Sequence, residues 1–190
     1  MAEVLLLHHV LGLTDGVRAL ADRLRVAGHT VHTPDLWDGL HFDAIEAGMA
    51  HEEETLGWDT MVAKATAAAE GLPTDLVYAG ISMGAVYSHL LVARRPGARG
   101  AVFLESCTGP DDFGGWTPGV PLQVHGHIGD QFFGPEAVAN AEAKIAIAGS
   151  GAVYAYPGDT HLFVDSSLPT YDEAQTDLVI EQTLEFLAAL

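Results

Sequence analysis

Cysteine and cationic residues are both scarce in this chain of 190 residues. Cys107 is the only cysteine, so neither an intrachain disulfide nor a cage of cysteine metal ligands can form, and we interpret it as a small buried hydrophobic residue. The chain has 8 Lys and Arg residues against 26 Asp and Glu residues, which gives a formal net charge of −18 at pH 7. Because such a charge repels nucleic-acid phosphates and anionic lipid surfaces, we expect neither as a partner.

Long hydrophobic runs, repeats and linkers rich in Pro, Gly or Ser are also missing. The first ten residues read MAEVLLLHHV, an apolar stretch without a basic flank that is too short for a membrane span or a signal peptide. The chain nevertheless contains 48% hydrophobic residues, enough to bury a core. We therefore expect a single cytoplasmic domain over residues 1–190, and the sequence leaves its oligomeric state open.

Strand and helix patterns alternate along the chain. The first predicted helix is capped by Thr14 and closed by Gly28, and the others cover 58–70, 83–95, 135–148 and 172–189. The predicted strands are 4–8, 29–33, 76–80, 100–104, 121–126 and 152–156. This alternation indicates an α/β fold, with a compact and mainly parallel sheet of about six strands covered by helices on both faces. Ligands bind at the carboxyl ends of such strands, and the conformation of two long loops there, 35–57 and 105–120, stays open.

The sequence Gly80-Ile81-Ser82-Met83-Gly84 lies between a predicted strand and a predicted helix. It matches G-x-S-x-G, in which small neighbours permit a sharp turn that exposes the Ser above the sheet. The strand and helix on either side favour a nucleophile over the alternative, a Ser that caps a helix.

A Ser hydroxyl needs a base to remove its proton, and suitable residues follow later strands. Asp130 ends the sequence HGHIGD at 125–130, and His161 ends YPGDTH at 156–161. The order Ser82, Asp130, His161 is that of triads on sheets of this kind. We predict that His161 acts as general base and then as general acid, while Asp130 orients the imidazole.

Two other aspartates lie close to His161 in the sequence. Asp159 is a rival for the acid, although Asp and Gly are also ordinary turn residues. Asp165 is interpreted as a surface charge or a helix cap.

Several histidines have both a structural and a functional interpretation. His125 and His127 share one face of a predicted strand, where they either line the pocket or fill structural roles. The sequence HEEE at 51–54 lacks the second His of H-E-x-x-H, so we interpret it as the solvated start of an acidic helix. We predict no metal site and no cofactor.

A tetrahedral intermediate also needs N–H donors for its oxyanion. The amide of Met83, at the N-terminus of the helix after Ser82, is one predicted donor. The amide of Val10, in the loop after the first strand, is the other. His9 either points into the cleft or flanks this loop.

One long segment resembles the opening of the dienelactone hydrolase family of α/β-hydrolases; it reads LLHHVLGLTDGVRALADRLRVAGHTVHTPDLWDG. In that family a strand, an oxyanion loop with Gly, a helix and a further Gly lead to a strand that ends in P-D-L. Ser82, Asp130 and His161 fall where the family places its nucleophile, acid and base. The resemblance covers nearly the whole chain, and it implies the α/β-hydrolase fold and a carboxylic-ester hydrolase.

This chain departs from the dienelactone-cleaving members in two ways. Those members use Cys in the G-x-C-x-G turn and a Glu in the oxyanion loop, whereas this chain has Ser82 and, at about the place of the Glu, His9. The specialised members also hold the anionic dienelactone with arginines in the cleft loops. Here the Arg and Lys residues lie on predicted helices or just past one, while loop 35–57 is acidic. We therefore predict a neutral or cationic substrate.

Aromatic residues near the expected cleft are candidate pocket walls, with plain core packing as the alternative. They are Trp37, Phe42, Phe132 and Phe163. The predicted function is a serine hydrolase that cleaves a small neutral ester, lactone or thioester through an acyl-enzyme. The alternatives are a non-catalytic binding or interaction protein on the same fold, and lyase or acyltransferase chemistry.

Overall fold

Six parallel strands form one sheet in a computed structural model that describes residues 1–190. The strand order is β2-β1-β3-β4-β5-β6, and every neighbouring pair is parallel. The strands are β1 (Glu3–Leu7), β2 (Thr30–His32), β3 (Val77–Ile81), β4 (Gly100–Leu104), β5 (Leu122–His127) and β6 (Gly151–Tyr156). Each predicted strand is present with its ends within one residue of the prediction, and the predicted sheet is confirmed.

Six α-helices connect the strands or follow the last one. They are α1 (Asp15–Val26), α2 (Ile45–Ala50), α3 (Gly57–Ala69), α4 (Met83–Arg94), α5 (Gly134–Ala148) and α6 (Glu173–Ala189). A π-helical segment, His51–Leu56, joins α2 to α3, and a 3₁₀ turn covers Asp112–Gly114. The sequence did not predict α2 or the 3₁₀ turn, and within the π-helical segment it predicted only a helix start at 51–54. All three lie in the two loops whose conformation it left open.

Helices cover both faces of the sheet, as predicted. Thr14 caps α1 by accepting a hydrogen bond from the Val17 amide at 3.2 Å. Leu24 of α1 and Leu187 of α6 lie against one face. On the opposite face, His89 of α4 and Lys144 of α5 both lie against the Phe103 ring.

Three of the four inner strands, β3, β4 and β5, are buried along their whole length. Burial on both faces explains the nearly continuous apolar sequences of β3 and β4. Strand β5 instead carries three buried polar residues, Gln123, His125 and His127. The carboxyl ends of these strands lead directly into Ser82, Glu105 and the segment that carries Asp130. None of the helices combines the length and the hydropathy that a membrane-spanning segment requires.

Candidate active site

Ser82 lies in the sharp turn between β3 and α4. Its backbone has φ 51° and ψ −113°, a conformation that side chains rarely adopt. The Ser82 amide donates to the Leu104 carbonyl at 2.8 Å, so the neighbouring strand β4 holds the turn in place. The turn places the Ser82 hydroxyl at the carboxyl edge of the sheet, at the start of α4.

The glycines at either side of Ser82 are required by close backbone packing. A Cβ atom at Gly80 would lie 2.2 Å from the carbonyl of Gly84, and one at Gly84 would lie 2.2 Å from the carbonyl oxygen of Leu7. Both distances are far shorter than a van der Waals contact. The G-x-S-x-G sequence therefore lets α4 approach β3 and β1 closely enough to form the turn.

The structure brings Ser82, Asp130 and His161 together. Nε2 of His161 lies 2.8 Å from Oγ of Ser82, and Nδ1 of His161 lies 2.5 Å from Oδ2 of Asp130. A carboxylate accepts the Nδ1 proton, which leaves the lone pair of Nε2 facing the Ser82 hydroxyl. Asp130 and His161 are both buried, at 1% and 8% exposure, so little water competes for these hydrogen bonds.

Neither Asp159 nor Asp165 hydrogen-bonds to His161, whose ring nitrogens face Asp130 and Ser82. Asp159 is exposed in the turn before His161. Asp165 is fully buried, so its interpretation as a surface charge or helix cap is wrong. It accepts hydrogen bonds from Nε2 of His9 at 2.7 Å and from the Thr14 hydroxyl at 2.5 Å. Burial by itself raises the pKa of Asp165, but hydrogen bonds from His9, Ser167 and Thr14 outweigh it and lower the pKa to about 2.

The loop after β1 presents the amide of Val10 without a hydrogen-bond acceptor from the protein. The carbonyl of His9, in the same peptide unit, accepts from Nδ1 of His8 at 2.7 Å and from the Gly12 amide at 3.1 Å. Because C=O and N–H point in opposite directions in a trans peptide, these two bonds also fix the direction of the Val10 N–H. The Met83 amide lies in the first turn of α4, where no earlier helical carbonyl can accept from it.

His8, which the sequence analysis did not single out, supports this loop from the core. Its Nε2 accepts from the Leu36 amide at 2.9 Å, so its proton is on Nδ1 and the ring is neutral. Burial lowers the pKa of His8 to about 4, which keeps the ring neutral at ordinary pH.

Trp37 and His9 support the loop instead of lining the cleft. Their assignment to the pocket is wrong, and the alternatives that the sequence left open hold: core packing for Trp37 and a place beside the loop for His9. The indole N–H of Trp37 donates to the Val10 carbonyl at 2.8 Å, and the ring is 1% exposed. His9 is fully buried, accepts from the Leu11 amide at Nδ1 and donates from Nε2 to Asp165. In the core, each of these two residues buries its ring and still finds hydrogen-bond partners for its ring nitrogens.

His125 and His127 are structural, one of the two alternatives that the sequence left open. His125 stacks between Tyr154 and Tyr156, with ring centroids 4.9 and 5.9 Å away. His127 stacks on Phe163 at 4.1 Å and hydrogen-bonds to the Thr160 carbonyl at 2.8 Å. Phe163 is fully buried in this contact, so its prediction as a pocket wall is also wrong.

A cavity of about 170 Å³ lies beside Ser82 and His161. Phe132, predicted as a pocket wall, does line it, and its ring centroid lies 4.6 Å from that of His161. The unpredicted helix α2 supplies Ile45 and Met49 to another wall. Phe42 instead packs against the rings of Trp37 and His51 and does not line the cavity. The cavity is mostly apolar and small for a ligand site.

Glu52 is the one acidic side chain in the cavity wall, and no Lys or Arg lines the cavity. It accepts a hydrogen bond from the Tyr87 hydroxyl at 2.5 Å, and burial raises the pKa of Glu52. Glu53 and Glu54 are exposed, whereas Glu52 is half-buried. The interpretation of 51–54 as a solvated helix start is therefore wrong, because this segment continues α2 and turns one carboxylate inward.

Glu105, which follows β4 directly, was missed by the sequence analysis. It is fully buried, and its Oε2 lies 3.7 Å from Nδ1 of His161. Glu105, Asp130 and His161 are the one group of metal-ligand type in the chain, with donor atoms within 4.8 Å of one another. Asp130 and His161 bind each other, and Glu105 accepts from two backbone amides, so this group is already occupied by internal hydrogen bonds. Its place at the carboxyl end of an inner strand was the signal that could have found Glu105.

Neither a protein-family model nor a curated protein sequence matches this chain. Its structure, however, is similar to several solved structures. A candidate dienelactone hydrolase from Klebsiella pneumoniae matches 100% of this chain and 88% of its own, with TM-score 0.78 and 18% identity. The dienelactone hydrolase-like promiscuous phosphotriesterase P91, from metagenomic libraries, matches over 100% and 87%, with TM-score 0.77 and 17% identity. A candidate hydrolase of the α/β superfamily from Xanthomonas campestris matches over 100% of both chains, with TM-score 0.67 and 18% identity.

These similarities establish that the chain has the α/β-hydrolase fold, which confirms the fold expected from the sequence. The structures that it matches include dienelactone hydrolase-like proteins, the group that the sequence resembles.

Proposed function

We propose that this protein is a serine hydrolase that cleaves small neutral esters, lactones or thioesters through an acyl-enzyme, as a Ser-nucleophile member of the dienelactone hydrolase family. The observation that carries the proposal is the continuous hydrogen-bond chain from Ser82 through His161 to Asp130, with contacts of 2.8 and 2.5 Å. It begins at a strained turn that faces a cavity. A structural role alone gives no reason for this combination.

The first half-reaction forms the acyl-enzyme. Oγ of Ser82 attacks the substrate carbonyl carbon while Nε2 of His161 takes the hydroxyl proton. Asp130 stabilises the resulting imidazolium through Nδ1, and the amides of Val10 and Met83 donate to the oxyanion. The tetrahedral intermediate then breaks the bond to the leaving group, which receives the proton from Nε2.

The second half-reaction repeats these steps with water. His161 removes a proton from the water molecule as its oxygen attacks the acyl carbon, and the second tetrahedral intermediate expels Oγ of Ser82. The proton on Nε2 returns to Ser82, which restores the starting state. The chain's own residues therefore supply a base, an acid and an oxyanion site.

The cavity favours a small and uncharged acyl group. Its volume of about 170 Å³ accommodates a short acyl chain, and Ile45, Met49 and Phe132 offer it apolar contacts. A carboxylate in the substrate would meet Glu52 without any cation to offset the repulsion. This differs from the anionic dienelactone that the specialised members of the family bind.

Active-site labelling tests the proposal directly. We expect a fluorophosphonate probe to add its mass to Ser82, and p-nitrophenyl acetate to be hydrolysed. Both should be lost in Ser82→Ala. Labelling should persist in Ser106→Ala, which removes the other serine hydroxyl of the cavity wall.

A folded protein that resists the probe and cleaves no activated ester would instead support a binding protein on the same fold. Turnover of a substrate without an ester, if it survived Ser82→Ala, would support lyase chemistry.

A further inference from the structure

Glu105 has an unusual backbone for a residue with a side chain. Its φ is +63°, a region that favours glycine, and its amide donates to the His125 carbonyl at 2.6 Å. Glycine would adopt this conformation without strain. Strain of this kind persists where the surrounding structure imposes it, often at functional sites, which raises the question of what the carboxylate does.

The carboxylate of Glu105 holds the segment that follows His161. It accepts hydrogen bonds from the backbone amides of Leu162 and, at 3.3 Å, Val164. Leu162 itself has φ +61°, so the chain turns sharply directly after His161. Glu105 therefore fixes the backbone on which the imidazole is carried.

His161 is also the only ion-pair partner of Glu105. No Lys or Arg pairs with this fully buried carboxylate, and its Oε2 lies 3.7 Å from Nδ1 of His161. Burial raises the pKa of Glu105 to about 7, and the nearby His161 opposes that rise. Asp130 is the other titratable group that acts on it, and it raises the pKa slightly further.

Two carboxylates thus face one imidazole nitrogen. Oδ2 of Asp130 accepts the Nδ1 proton at 2.5 Å, while Oε2 of Glu105 is just outside hydrogen-bond range. A movement of about 1 Å would bring Glu105 into range. The proton stays on Nδ1 with either acceptor, so the exchange of partner requires no proton transfer.

We propose that Glu105 is a positioning residue for His161 that can also replace Asp130 as the acceptor of the Nδ1 proton. The inference rests on the proposed hydrolase function, because it assigns Glu105 to the same proton-relay geometry. The inference predicts that the carboxylates of Asp130 and Glu105 are partly redundant. No redundancy is expected if Glu105 is purely structural or if Asp130 is the only possible acceptor of the Nδ1 proton.

A double-mutant cycle tests this redundancy. Hydrolysis of p-nitrophenyl acetate is measured in the wild type, Asp130→Ala, Glu105→Gln and the double variant. Loss of the acid in a Ser-His-Asp triad lowers kcat by about 10⁴-fold. We expect that loss only in the double variant, and a loss of at most about 100-fold in Asp130→Ala, where Glu105 takes over.

Two results would overturn the inference. One is an Asp130→Ala variant as slow as the double variant, because Glu105 then supplies nothing. The other is a Glu105→Gln substitution that lowers kcat by the same factor in both backgrounds, because its role is then structural only.

A spectroscopic readout separates this inference from the proposed function. A proton NMR signal at low field reports the hydrogen-bonded Nδ1 proton of His161 and needs no turnover. We expect the signal to persist in Asp130→Ala and to disappear in the double variant. Its loss in Asp130→Ala contradicts the inference even if the enzyme is active, whereas a wild type that resists fluorophosphonate contradicts the hydrolase function alone.

Asp165→Asn is the matched control, since Asp165 is a buried carboxylate on the same segment that contacts His9 and not His161. Its effect on kcat should be the same factor with and without Asp130, and the NMR signal should persist. If Asp130→Ala does not fold, Asp130→Ser serves in its place with the same expectations, because its hydroxyl oxygen can still accept from the Phe132 amide.

Discussion

The indole N–H of Trp37 donates to the backbone carbonyl of Val10 at 2.8 Å, in a fully packed setting. The residue expected to contact substrate instead supports the loop expected to bind the oxyanion. We predict that Trp37→Phe, which removes this donor and keeps an aromatic ring, lowers kcat about tenfold with little change in KM. The predicted loss is smaller than the loss of about 10²–10³-fold that is typical when an oxyanion donor is removed entirely, because Trp37→Phe only loosens the loop that carries the donor.

The control for Trp37→Phe is Trp116→Phe. The indole of Trp116 also donates to a backbone carbonyl, that of Val120 at 3.0 Å, and it is buried away from the cavity. Both variants should lose about 1 kcal/mol of stability from the lost hydrogen bond. Equal losses of kcat in the two variants would mean that Trp37 acts on the reaction only through overall stability.

Glu52 should select against anionic substrates. We predict that kcat/KM for p-nitrophenyl valerate exceeds that for the similar but anionic mono-p-nitrophenyl glutarate by about tenfold or more at low salt. The preference should shrink in Glu52→Gln and at high salt, where charges are screened. Glu53→Gln, which changes net charge equally at an exposed neighbouring position, should leave it nearly intact. A wild type that prefers the anionic ester would contradict the neutral-substrate proposal.

Phe132 should limit the length of the acyl group. Its side chain lines the cavity at Ser82 and also a polar recess of about 480 Å³ on its other side. We predict that Phe132→Ala joins these spaces and raises the ratio of kcat/KM for p-nitrophenyl octanoate to that for the acetate. Ile128→Ala, at an exposed apolar residue of the same segment that lines neither space, should leave the ratio unchanged. An unchanged ratio in Phe132→Ala would show that another group limits acyl length.

Buried histidines should make the protein sensitive to acid. Burial lowers the pKa of His8 to about 4 and those of His89 and His125 to about 3. Below about pH 6.5 each binds a proton in the unfolded chain only, so the free energy of unfolding falls by about 1.4 kcal/mol per pH unit for each. Burial raises the pKa of Glu105 to about 7, so this residue binds its proton more readily in the folded state. Down to pH 4.5 its stabilising effect cancels the loss of stability from about one of the three histidines.

We therefore predict a net loss of stability from pH 6.5 to 4.5, measured by urea unfolding at several pH values. His125→Phe, which keeps the stack between Tyr154 and Tyr156, should reduce the slope by about one proton. Leu178→Gln, at an exposed position without an ionisable side chain, should not change it. A slope in His125→Phe equal to that of the wild type would contradict the assignment.

The sheet and the meeting of Ser82, Asp130 and His161 could be predicted because they follow from local rules. Apolar strands alternate with helices, and the chain turns at Gly80 and Gly84 because backbones cross there. These rules place residues at the ends of strands, and in a parallel sheet those ends share one edge. Spacing along the chain was therefore enough to gather the three side chains.

The division of side chains between core and cavity could not be predicted in the same way. Trp37, Phe132 and Phe163 are equally aromatic, and only packing decides that Phe132 alone lines the cavity. The bond between His9 and Asp165 joins residues 156 positions apart, which no local pattern reveals. Glu105 carries no motif, since its significance comes from its distance to His161.

The π-helical segment between α2 and α3 also has a consequence for how this fold can change. A π turn holds an extra residue compared with an α turn, so shortening the segment by a single codon would restore regular winding. Each residue of an α-helix turns the chain by about 100°, so deletion of His51 would turn Ile45 and Met49 around the helix axis relative to Glu52, which lines the same cavity. The wall they form could thus be exchanged by altering chain length alone, with the machinery at the sheet edge left untouched.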